Sequence, residues 1–166
     1  MYTMFHSWRH FSIPCILLTF LFYGSNSLAG VGDSPLPDYP AKAKHFYTVP
    51  GVIKSATQET VFRCTIVKKS AQNPVLAIEL FDSNGALLGQ GNVDGLIGST
   101  ISLATGSVAS ESNYYFNNLS SFVGSARIIS NVRRLLCDAY VTDKINDPPE
   151  SMRTLPVIKK TRQHGD

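Results

Sequence analysis

An alternation of apolar and polar residues with a period of two runs through most of this chain. It constrains the fold more than any other feature. In TVFRCTIVKK, Phe62, Cys64 and Ile66 fall on one face, and Arg63 and Thr65 on the other. NPVLAIELFD sets Leu76, Ile78 and Leu80 opposite Ala77 and Glu79. STISLATG places Ile101 and Leu103 together, and SFVGSARIIS turns Ala126 and Ile128 inward and Arg127 outward. RRLLCDAYVTD aligns Leu135, Cys137, Ala139 and Val141 against Arg134, Asp138, Tyr140 and Thr142. Successive side chains of a strand point to opposite faces, so each stretch reads as a half-buried β-strand. Asn84-Gly85 reads as a hairpin turn because both residues tolerate positive φ, and ALLGQGNV follows as the partner strand. Gly89, Gly91 and Gly95 read as turn or bulge positions. No segment holds a helical period over three turns. The expected fold is all-β, an antiparallel sandwich of the immunoglobulin-like or jelly-roll-like kind, with a small β-barrel as the alternative.

The ends of the chain obey other rules. A weakly basic opening, MYTMFHSWRHFS, precedes an apolar run at residues 13–24 and then SNSLAG. Ser27 and Ala29 are the small residues that a cleavage site needs, so residues 1–29 read as a signal peptide cut after Ala29. The run of about a dozen residues is shorter than the roughly 20 that span a bilayer, although a retained anchor is the alternative. Residues 30–44 form a leader kept extended by Pro35, Pro37 and Pro40. Residues 45–146 carry the sandwich, and residues 147–166 read as a mobile basic tail in which LPVIKK could form an edge segment. The formal net charge is +3, but from residue 30 to residue 143 acidic and basic residues balance. A neutral body has no electrostatic footprint for nucleic acid. The expected product is secreted or periplasmic, with no stable membrane span after cleavage.

Removal of Cys15 with the signal leaves Cys64 and Cys137, both on the apolar face of their strands. In an exported protein such thiols are usually oxidised. A zinc site needs about four ligands, and beside these two the body offers only His45. A redox pair is usually close in sequence, and this pair is not. A structural disulfide is the favoured reading, and two inert buried thiols the other.

Motifs of chemistry are sparse. His45, at the edge of the leader, is the sole histidine near the folded body, so a nucleophile–histidine–acid triad has little to build on. Paired-carboxylate hydrolysis would need a cleft gathering Glu79, Asp82, Asp94 or Asp138. Glu79 and Asp138 read as outward, solvated positions. DSNG, at Asp82, offers oxygen ligands in the style of a calcium loop but lacks the remainder of the set. No catalytic residue, metal or cofactor is assigned.

SESNYYFNNLSSF is the least ordinary stretch. Tyr114, Tyr115, Phe116 and Phe122 stand among small polar residues, a composition suited to a ligand-facing surface. Alternation would bury Tyr114 and Phe116 and expose Tyr115, or the reverse. Asn118-Leu119-Ser120 is a glycosylation sequon. Arg127, Arg133 and Arg134, with Lys68 and Lys69, read as solvated strand faces or as a small basic patch.

TVFRCTIV, VLAIELFDSNGALL, STISLATG and GSARIISNVRRLLCDAYVTD together resemble a diffuse group of small exported bacterial β-sandwich proteins. These pair a cysteine of an early strand with one of a late strand. The resemblance spans about residues 60–143. It implies pairing of Cys64 with Cys137 and assigns no activity. The expected role is non-enzymatic, binding or structural, with a protein or glycan ligand. A small secreted hydrolase using surface carboxylates is a second expectation. An extracellular assembly subunit that donates its leader as a strand to a neighbour is a third.

Overall fold

The computed structural model describes Tyr39 and residues 43–67, 73–106, 114–116, 118–146 and 148–160. The expected signal peptide at residues 1–29, most of the leader, Lys68, Lys69 and the last residues of the tail lie outside the described residues.

The described residues form ten strands and no helix. They are β1 (Lys44–Lys54), β2 (Gln58–Ile66), β3 (Val75–Asp82), β4 (Leu87–Asp94) and β5 (Thr100–Ala104). β6 (Tyr114–Tyr115), β7 (Phe122–Ser130), β8 (Leu135–Asp143), β9 (Met152–Thr154) and β10 (Ile158–Lys159) follow. All belong to one sheet with two arms. One arm runs β4-β3-β7-β1, with β10 beside β1. In the other, β2 lies between β5 and β8, with β6 beyond β5 and β9 beyond β8. A single rung, Lys54 opposite Glu59, joins β1 to β2 and makes the sheet continuous. The sheet is nearly closed in a barrel shape, so the expected sandwich of two separate sheets is not borne out and the small barrel fits. Register shifts in β1 at His45/Tyr47 and Pro50/Val52 mark the irregularities that bend this strand.

One core fills the space between the arms. Phe62 and Ile66 of β2, Ile78 and Leu80 of β3, Leu103 of β5 and Ile128 of β7 are fully buried in it. Removing apolar area on this scale from water is the main favourable term in folding. The rows that alternation assigned inward on β2, β3, β5, β7 and β8 are the rows found there. The turn at Asn84-Gly85 is also found: Gly85 has φ 83, and the Asp82 carboxylate accepts from the amides of Asn84 and Ala86, each at 2.8 Å. That oxygen is committed to its own turn.

The two seams of the barrel close in different ways. β4 and β6 share no ladder rung. Gly89 and Gly91 leave a slot on β4 that the side chains of Tyr114, Phe116 and Leu119 fill. A Cβ on Gly91 would stand 2.4 Å from the Tyr114 ring, and one on Gly89 would stand 3.2 Å from Leu119. At the other seam the chain after β9 crosses from β8 to β1. Leu155 donates its amide to the Ala139 carbonyl at 2.8 Å and buries its side chain, and the Lys160 amide reaches the Phe46 carbonyl at 2.8 Å. The folded body therefore continues past Asn146 to Lys160. A segment read as mobile for its prolines is held by Leu155.

Candidate functional site

Cys64 and Cys137 are directly opposed on neighbouring strands, with Cα atoms 4.1 Å apart, and form a disulfide. Their side chains point into the core. The residues on either side of them point outward, which places Arg63, Thr65, Leu136 and Asp138 together on the outer face of β2 and β8. Thr100 of β5 completes a shallow open depression of about 400 Å³.

The chemistry of that depression is compact. The Arg63 guanidinium forks onto Asp138, Nε donating to Oδ1 at 3.2 Å and an Nη to Oδ2 at 3.1 Å. The same guanidinium lies 5.0 Å from the centroid of the Tyr140 ring. The side chains of Arg63 and Asp138 remain 42% and 53% exposed. The Thr65 and Thr100 hydroxyls are 2.8 Å apart. Leu136 is 66% exposed and forms an apolar lip. Donor, acceptor, hydroxyl and apolar surface thus sit within one patch. The disulfide beneath fixes the register of the two strands that carry four of the five side chains.

The aromatic stretch is distributed differently from a continuous surface. Tyr114 and Phe116 pack edge to face, 5.3 Å between centroids at 82°, and fill the β4–β6 seam. Phe116 is buried and Phe122 packs against the core. Tyr115 alone of the four faces out, at 44% exposure. Asn118 is exposed, while Leu119 of the same sequon packs on the core.

The carboxylates considered for hydrolysis are not gathered. Glu79 stands on the outer face of β3 and Asp138 on that of β8. Asp82 caps its turn, and Asp94 ends β4. Glu79 and Arg127 are outward as expected, but they are not solvated: both are fully buried and form an ion pair across β3 and β7. The Arg127 guanidinium also lies 4.8 Å from the Phe81 ring. Tyr39 packs on Ala77 and Ile129 of the same outer face. Arg127 therefore contributes nothing to a basic patch; Arg133 and Arg134 are exposed.

Two buried titratable groups escaped the sequence. His45 is buried, with Nε2 3.0 Å from both the Tyr47 carbonyl and the Thr48 hydroxyl. Burial first, then the charges of Lys160 and Arg127, lower its pKa from 6.5 to about 4, against the raising effect of the Tyr47 carbonyl. Glu59 is fully buried on the outer face of β2, and burial raises its pKa above the ordinary 4.5 although Lys144 and Lys54 oppose the rise. Neither lies in an alternating stretch read from the sequence, and the register shift at His45/Tyr47 breaks the period around His45.

Among the described residues, no group of three or more His, Cys, Asp or Glu is placed to hold a metal ion. No helix among them is long and apolar enough to cross a membrane. The disulfide is compatible with an oxidising environment. Comparison with family models, curated proteins and solved structures found no match.

Proposed function

We propose that this chain is an exported, non-enzymatic β-domain that binds a hydroxyl-rich ligand of the saccharide class on the outer face of β5, β2 and β8. The observation that carries the reading is the half-exposed Arg63–Asp138 fork set beside two threonine hydroxyls and the apolar Leu136. A sugar ring presents neighbouring hydroxyls, each donor and acceptor, around an apolar C–H face. Asp138 accepts from one hydroxyl and Arg63 donates to the next, while Thr65 and Thr100 serve either way. Leu136 meets the C–H face. Charge-assisted hydrogen bonds are the stronger kind and set orientation. Rigid strands hold the groups in place before the ligand arrives, which lowers the ordering cost of binding. Export and the likeness to small exported bacterial β-proteins belong to the same reading. A bacterial periplasm or cell surface, rich in polysaccharide, is the setting in which it would act.

The test is a glycan array probed with the oxidised, processed protein and with Asp138→Asn and Arg63→Met. Binding of a defined glycan by the parent, reduced at least tenfold in both variants, is the expected result. Absence of binding to any glycan, or binding that both variants retain, overturns the assignment.

A further inference from the structure

Glu59 sits two outward positions before Arg63 on β2, opposite Thr142 of β8. Its side chain is fully buried, yet among the described residues neither carboxylate oxygen has a hydrogen-bond partner. A buried carboxylate without partners is costly, and a neutral acid is far less so. Against it lies the segment that follows β5. A Cβ on Gly106 would stand 2.3 Å from Glu59 Oε2, so the lack of a side chain there is what lets the backbone settle against the carboxyl. The preceding residue is fastened by three hydrogen bonds. The Thr105 amide donates to the Thr60 carbonyl at 2.9 Å, and the Thr105 hydroxyl accepts from the Thr60 amide at 2.9 Å and donates to the Ile53 carbonyl at 3.1 Å.

The charged groups around Glu59 come from two other elements. Lys54 lies at the end of β1 and gives its ammonium to the Phe116 carbonyl at 3.1 Å. Lys144 follows β8, and its amide binds the Thr57 carbonyl at 3.1 Å. Neither forms an ion pair with Glu59, although both attract its charge. Thr105 and Gly106, which follow β5, contribute no titratable group.

We propose that Glu59 is an acid latch: as a neutral carboxylic acid it lets Thr105–Gly106, just after β5, close on β2, and as a carboxylate it opens that segment to water. The sign follows from linkage. A group whose pKa is higher in the closed form supports that form fully below the pKa of the open form. The support is lost as pH rises through the closed-form value. Opening is therefore promoted by rising pH, from the ordinary carboxylate range of about 4.5 upward. Across that interval each pH unit multiplies the opening equilibrium roughly tenfold. The latch acts apart from the Arg63–Asp138 depression and does not depend on its being a binding site.

Amide hydrogen exchange of Thr105 and Gly106, followed from pH 4 to pH 8 and corrected for the intrinsic pH dependence of exchange, reads the latch directly. The expected result is an opening equilibrium that climbs with pH in the parent and is flat in Glu59→Gln. Equal profiles in the two proteins overturn the proposal. Should the variant not fold, NMR titration of the Glu59 carboxyl carbon in the parent decides: titration at the ordinary value overturns it, and titration well above that value supports it.

Discussion

The two arms of the sheet each carry the same small construction on their outer face. In each, an arginine faces an acid directly across two strands, and its guanidinium lies over an aromatic ring. Arg127, Glu79 and Phe81 form one, and Arg63, Asp138 and Tyr140 the other. They differ in solvent. The first pair is fully buried on the face where Tyr39 packs, and the second is about half exposed. Equal chemistry in unequal dielectric has unequal consequences. A buried pair that loses one partner leaves an uncompensated charge, whereas an exposed pair exchanges one set of water contacts for another. The buried pair belongs to the architecture, and the exposed one faces solvent.

The largest effect should come from breaking the buried pair. Glu79→Ala is expected to cost about 3–5 kcal/mol in urea denaturation, and replacing Glu79 and Arg127 together by apolar residues should recover much of it. Equal losses for Glu79→Ala and Asp138→Ala would end the contrast between the arms. Next is the disulfide, which closes a loop with a sequence separation of 73. Its reduction should cost about 2–4 kcal/mol in thermal or chemical unfolding. It should also weaken the ligand binding proposed for the depression, because Cys64 and Cys137 fix the strands that present it.

A third effect separates the arms by pH. His45 has a folded pKa of about 4, below its unfolded 6.5. Its contribution is present above 6.5 and is lost as pH falls through about 4, at most about 3 kcal/mol. Unfolding curves between pH 7 and pH 4 should show this loss, and His45→Gln should flatten it. Glu59 on the other arm works in the opposite sense, losing its contribution as pH rises. The smallest effect on stability should be that of Asp138→Asn, within about 1 kcal/mol. A larger loss in a denaturation experiment would show that the exposed pair is structural after all.

Much of this was legible in the sequence because strands impose a strict period. Phe62, Cys64 and Ile66, and likewise Leu135, Cys137, Ala139 and Val141, could be set on one face without knowing their neighbours. The Asn84-Gly85 turn and the disulfide followed from local chemistry and compartment. Whether an outward face is covered is a different kind of fact. Glu79 and Arg127 sit on a covered face and Asp138 on an open one, yet the alternation around them is the same. Glu59 and His45 were hidden for another reason: neither lies in an alternating stretch. The choice between sandwich and barrel turned on one rung, Lys54 with Glu59, which no pattern within either strand reveals. The aromatic stretch looked like a surface because its flanks are polar. The slot made by Gly89 and Gly91, some twenty residues upstream, is what draws Tyr114 and Phe116 inward.

The strand order has a consequence in time. β1 meets β2 at a single rung, and its long ladder is with β7, Lys44 lying opposite Ser130. A chain delivered N-terminus first therefore keeps its first strand without a stable partner until residue 130 is available. The seam between β8 and β1 waits longer still, for Leu155 and Ile158. Pairing across such separations must overcome loop-closure entropy before any contact compensates for it, so it is slow and cooperative. Contacts of such high sequence separation predict slow folding, which refolding kinetics would measure.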